Sequence, residues 1–191
     1  MSDPVLIAGH GLGAVRGERV LFQDVSLEAA PGDLILLRGA NGSGKTTLLR
    51  QLAGLSEPQA GTVERTVLHH WIGHTNGLKA HETPRSHLRH WARVWGGDAD
   101  LAAILSDMGL KRPANVPIRM LSAGQKRRTA LSRLRLQDRK LWLLDEPFNA
   151  LDTDGQARLA NMIESHRAAG GSVIAALHGA APIEATREVE L

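Results

Sequence analysis

The chain has 191 residues, enough for one well-cored α/β domain and short for two. Its formal net charge of +3 permits an anionic partner without demanding one. The absence of cysteine excludes disulfides, a thiolate zinc site and a cysteine nucleophile. The opening Met1-Ser2-Asp3-Pro4 has no basic stretch followed by an apolar one, so no secretory signal is expected. The apolar runs at 34–37 and 141–144 fall far short of the roughly 18 residues that cross a bilayer. Any membrane role would therefore be borrowed from a partner.

In chain order, 20–29 reads as a strand closed by the turn Pro31-Gly32-Asp33, and 34–37 as a short strand buried on both faces. A glycine-rich loop leads into an expected helix at 46–55, followed by strands at 61–67 and 68–72. Helical periodicity marks 84–95, 99–108 and 125–136, with Pro113 and Pro117 breaking the middle. A further buried strand is expected at 141–144, a helix at 154–169 closed by Gly170-Gly171, and a strand at 172–177. Strands alternating with helices imply an α/β fold with a mainly parallel core sheet flanked by helices. No repeat or linker divides the chain, so 1–191 is expected to be a single domain with a helical insertion at about 83–137.

Gly39-Ala40-Asn41-Gly42-Ser43-Gly44-Lys45-Thr46 matches G-x-x-x-x-G-K-[ST] between a buried strand and a helix. Glycines let successive N–H groups turn toward phosphate oxygens, and the helix N-terminus adds positive partial charge. Lys45 is placed to reach β- and γ-phosphates, and the Thr46 hydroxyl to join a magnesium shell. Leu141-Trp142-Leu143-Leu144-Asp145-Glu146 is an apolar strand ending in two carboxylates. Asp145 is expected to support Mg2+, and Glu146 to orient or deprotonate an attacking water.

Leu121-Ser122-Ala123-Gly124-Gln125 stands before a helix, about twenty residues ahead of Asp145. It resembles the LSGGQ signature of the ATP-binding-cassette (ABC) ATPases, with Ala123 in place of a glycine. Ala150-Leu151-Asp152 resembles that family's loop after the catalytic glutamate, and His178 its switch histidine. The resemblance runs from about Val20 to His178. It implies a P-loop NTPase fold of the ABC type, with an antiparallel β part and a helical subdomain at about 83–137. It also implies ATP and Mg2+ as ligands and a homodimer with a second ATP-binding subunit. In that dimer Ser122, Gly124 and Gln125 of one chain meet the ATP held by residues 39–47, Thr47 included, of the other. Glu146 and His178 would be the catalytic pair.

Two positions depart from the general family pattern. Arg16 stands where an aromatic residue usually stacks on adenine; a guanidinium can also stack on a π-face. His74 stands where a glutamine usually contacts magnesium, and imidazole is a poor ligand for that ion, so His74 is expected to couple to a membrane partner instead.

Gly73-His74-Thr75-Asn76-Gly77-Leu78-Lys79 resembles the GHxxGLK stretch of the CcmA family, ATP-binding subunits of the cytochrome c maturation system. Arg127-Arg128 after the signature and Leu141-Trp142 leading to Pro147-Phe148 are similar too. This implies integral membrane permease subunits as partners, haem as cargo handled through them, release of a haem-loaded periplasmic chaperone, and a peripheral position on the cytoplasmic face of the bacterial inner membrane. The runner-up is the ATPase of another small-cargo ABC transporter. DNA-repair and chromosome-structure ATPases carry long coiled coils that have no counterpart here.

Six histidines fall between His69 and His90. His87 and His90 have a spacing that could share a ligand, but the polar flank of the helix carrying Leu88, Trp91 and Trp95, or a partner interface, is the expected place for them. The basic residues from Lys126 to Lys140 lack interleaved aromatics, so a solvated helix face, partly used at the nucleotide interface, is expected and no nucleic-acid partner.

Overall fold

The computed structural model describes residues 4–179 and 182–191; the opening Met1-Ser2-Asp3, read above as carrying no signal, lies outside them. The chain forms two compact units: 1–73, 139–146 and 163–191 make the first, and 74–138 and 147–162 the second.

The first unit holds both sheets. Strands β1 (Ile7–Arg16) and β2 (Arg19–Ala29) form an antiparallel hairpin, and β4 (Ala60–Arg65) pairs on the far side of β1. The second sheet is parallel, in the order β5 (His69–Ile72), β6 (Leu141–Asp145), β7 (Ser172–Ala176), β3 (Leu34–Arg38), β8 (Arg187–Glu190). Every residue of β6 and β7 is buried, as short continuous apolar runs require.

Two strands escape the sequence reading. Gly9, Gly11 and Gly13 interrupt the alternation of β1, whose pairing with β2 is irregular at these points. Strand β8 is Arg-Glu-Val-Glu and mostly exposed; it finds its place only by pairing along the edge of β3.

The core of this unit joins the two sheets through α1 (Lys45–Leu52). Leu48, Leu49 and Leu52 pack among Ile7, Leu12, Phe22, Ile35, Leu37, Leu143 and Ile174. Each such side chain contributes about 1.5–3 kcal/mol of hydrophobic stabilisation. At the end of α5 (Thr153–Ala168), the His166 ring stacks on Trp142 at 3.8 Å and 6°.

The second unit is helical. Helix α2 (Pro84–Trp95) starts with a Thr83–Ser86 capping box and Pro84 in its first turn, and ends at Gly96 with φ 73°. Asp100 caps α3 (Leu101–Asp107) through the amides of Ala102 and Ala103. The helix expected at 125–136 is shorter. It runs as α4 (Ala123–Leu131) and then tightens into a 3₁₀ turn, Ser132–Arg135. The hydroxyls of Thr129 and Ser132 donate to the carbonyls of Gln125 and Arg128, each at 2.8 Å, a back-bonding that bends helices.

The buried face of α2 corrects the expected histidine placement. Pro84, His87, Leu88 and Ala92 are buried there, while His90 is exposed and Trp91 and Trp95 are half-buried. Nδ1–H of His87 donates to Oε2 of Glu82 at 3.2 Å. Burial holds His87 below its ordinary pKa, against the opposing pull of Glu82. Burial also pushes the Glu82 carboxyl up, but the hydrogen bond from His87 and the charge and hydrogen bond of Lys79 outweigh it and leave the carboxyl below its usual range. His87 is therefore a neutral donor locking a loop to a helix, not a member of a polar flank.

Candidate nucleotide site

In the first unit, β3 delivers the chain into the loop 39–44. Three of its glycines have positive φ, at 131° for Gly39, 81° for Gly42 and 111° for Gly44. Only glycine takes such angles without strain. A Cβ on Gly44 would also sit 2.7 Å from a Phe22 ring carbon, so the β2 side chain closes that position.

Gly44 opens α1 with no side-chain cap, so the first amides of that helix remain donors facing the loop. Lys45 is buried, and its Nζ donates to the carbonyls of Gly39 at 2.6 Å and Ala40 at 2.9 Å. Burial lowers its pKa, opposed by the carboxylates of Glu146, Glu190 and Asp145. The buried Ser43 hydroxyl has no hydrogen-bond partner among the described residues.

The end of β6 brings the acids to the loop. Oγ1 of Thr46 donates to Oδ2 of Asp145 at 2.9 Å, and Asp145 is 1% exposed. Glu146 adopts φ 49°, and its amide donates to the Ala176 carbonyl on neighbouring β7 at 2.9 Å. That bond ties the turn after β6 to the strand that presents His178, whose Nε2 lies 3.4 Å from Oε1 of Glu146.

These groups line a cleft of about 220 Å³. Arg16 and Leu21 enter from the β1–β2 hairpin; Asn41, Gly42 and Gly44 to Thr47 come from the loop and α1; Asp145, Glu146 and His178 complete it. Gly39 and Ala40 contribute through the carbonyls that hold Lys45. Leu21 was not foreseen, because its place in the cleft depends on the hairpin and no local pattern marks it.

The remaining predicted positions belong to the second unit. Ser122 and Gln125 form a reciprocal capping box on α4: Ser122 Oγ accepts from the Gln125 amide at 3.2 Å, and Gln125 Oε1 from the Ser122 amide at 3.0 Å. A Cβ on Gly124 would lie 2.9 Å from the carbonyl of Ala150, which itself holds φ 63°. Asp152 accepts from the Gly155 amide at 2.9 Å and from Arg128 at 3.1 Å, pinning that loop to α4. His74 is exposed at the start of this unit.

A family model described as ABC transporter matches residues 22–149. The cytochrome c biogenesis ATP-binding export protein CcmA of Hyphomonas neptunium is 53% identical over 191 residues, covering all of this chain and 99% of its own. The protein of the same name from Methylococcus capsulatus is 45% identical, covering 94% of each chain. The chain belongs to the CcmA family of ABC transporter ATP-binding proteins.

The CcmA-family chain also shares its fold with solved ABC proteins. One ATP-binding subunit of an ABC transporter superposes with a TM-score of 0.80 at 23% identity, covering 91% of this chain and 79% of its own. An ABC transporter ATP-binding protein of Pyrococcus furiosus gives 0.80 at 18% identity, covering 97% and 96%. As a CcmA-family ABC domain this chain is an ATP-binding ATPase that works with membrane partners. Among the described residues no helix is long and apolar enough to cross a membrane.

Proposed function

We propose that this chain is the ATP-hydrolysing subunit of an ABC-type complex for cytochrome c biogenesis, peripheral to the cytoplasmic face of the bacterial inner membrane. There it would couple hydrolysis to haem export or to release of the haem-loaded periplasmic chaperone by permease partners. The observation that best supports ATP chemistry is the meeting of Lys45, Thr46, Asp145, Glu146 and His178 on one cleft.

In this reading two copies close on two ATP molecules. Amides of 39–47 and the Lys45 ammonium hold the phosphates, Arg16 stacks on the base, and Ser122, Gly124 and Gln125 of the second copy complete the site. The oxygens of Thr46 and Asp145, 2.9 Å apart, are the hard donors Mg2+ requires, so the pair fits that ion and would hold it. Bound there, it would neutralise charge on the β- and γ-phosphates. Glu146 takes the proton of the attacking water, and His178 steadies the γ-phosphate. His74 faces the membrane partner rather than the ion.

The test replaces the native copy with Glu146→Gln and stains host membranes for covalently attached haem. The purified variant should bind ATP, lose at least about 100-fold in turnover and trap a dimer. Loss of all c-type cytochromes in the host is the expected result. Normal cytochromes would leave the ATPase in place and return the cargo to that of another small-cargo ABC transporter.

A further inference from the structure

Two stretches of chain leave the first unit directly after neighbouring strands. One follows β5, at Gly73, and the other follows β6, at Glu146. On the second-unit side a single buried side chain holds both. Arg127 of α4 is 3% exposed; its Nη1 donates to Oδ1 of Asn76 at 3.1 Å, and its Nε to the carbonyl of Pro147 at 3.3 Å. Asn76 stands two residues after His74, and Pro147 directly follows Glu146.

A second buried arginine grips the same loop. Arg133 is 9% exposed, and its Nη2 donates to the backbone carbonyl of Asn76 at 3.3 Å while its Nε donates to Ala130 at 3.1 Å. Its guanidinium lies 5.6 Å from the centre of a Trp91 ring, which fixes its plane. Burial first, and the Arg127 charge second, pull Arg133 down to about 10. Two guanidiniums crowded on one asparagine are costly to desolvate, and an apolar pair would fill the space at lower cost. What the arginines add is directional: each joins α4 to the same connecting loop, and Arg127 joins that loop to the segment leaving Glu146.

We propose that Arg127 and Asn76 are positioning residues for hydrolysis, linking the loop after His74, the signature helix α4 and the backbone that follows Glu146 so that they move together. The inference rests on the proposed ATPase role of Glu146. A displacement imposed on the His74 loop reaches Pro147 through one side chain and sets the placement of the preceding carboxylate. The contacts of 39–47, which hold ATP on a single copy, lie outside this linkage, and the signature end of α4 meets ATP only when two copies close, so turnover should respond while KM for ATP changes little.

The experiment measures steady-state ATP hydrolysis by the full chain carrying Asn76→Ala, Arg127→Gln, both, or Arg127→Lys. Each of the first two should lower kcat about tenfold with KM for ATP within twofold, and the double variant should be no slower than the slower single one. Arg127→Lys should not restore turnover, since one ammonium does not reproduce a fork serving two acceptors. Should Arg127→Gln fail to fold, Asn76→Ala carries the test, because it removes the linkage and leaves the arginine. A folded Asn76→Ala protein with the parental kcat, multiplying losses in the double variant, or rescue by lysine would each overturn the proposal. Glu146→Gln assayed alongside reports on the ATPase role separately.

Discussion

Nε2 of His178 lies 3.4 Å from Oε1 of Glu146, and Glu146 holds φ 49°, a left-handed angle rare for a residue with a long side chain. The two meet because the Glu146 amide bonds the last residue of β7, two positions before the histidine. Strain of this kind costs about 1–3 kcal/mol and persists where the surroundings over-determine it.

Glu146→Gly should accordingly relieve the strain while removing the carboxylate. Its unfolding free energy should stay level or rise by up to about 1 kcal/mol, although ATP hydrolysis is lost. Urea titration and phosphate release measure the two sides. A loss of stability greater than about 1 kcal/mol would mean that the backbone angle is not strained.

Gly44→Ala should fail for two reasons that add. Its φ of 111° excludes a Cβ, and the new atom would meet the Phe22 ring at 2.7 Å. We expect a cost of about 2 kcal/mol or more and loss of ATP binding, read by thermal unfolding with and without nucleotide. Wild-type affinity in a folded variant would show that the loop tolerates another shape.

His87 sets a pH dependence whose sign follows from its burial. Its pKa is held below the ordinary 6.5, so the unfolded chain takes up the proton first as pH falls. Stability contributed by the neutral ring is present above about 6.5 and is lost as pH falls from there toward the folded value. Thermal midpoints measured between pH 8 and pH 5 should therefore decline on the acid side, and His87→Asn should flatten that decline. An unchanged slope in the variant would assign the dependence to another group.

Trp142 is 4% exposed, its Nε1–H is buried with no hydrogen-bond partner among the described residues, and its ring stacks on His166. Trp142→Ala should cost about 3–5 kcal/mol through the cavity it leaves. Trp142→Phe keeps an aromatic face and removes an unsatisfied donor, so it should cost under about 1.5 kcal/mol. A phenylalanine variant as unstable as the alanine one would show that the indole N–H has a partner.

By itself the sequence determined the parts of this protein whose chemistry is local. The loop 39–46 is legible because phosphate contact needs glycine angles, a lysine and a hydroxyl at fixed spacing. The buried runs of β3, β6 and β7 are legible because a strand covered on both faces is apolar throughout. Only the tertiary structure decided the rest. Strand β8 is polar and needs the edge of β3 to exist; β1 is broken by glycines and needs the partners on both sides of it. His87 looked like a surface histidine until Glu82 gave its ring a buried acceptor. Arg127, one cation in a basic series, became a buried bridge because Asn76 and Pro147 come to it from 51 and 20 residues away. Such contacts leave no periodic trace, since a hydrogen bond between distant segments constrains the fold at one point and leaves their neighbours free.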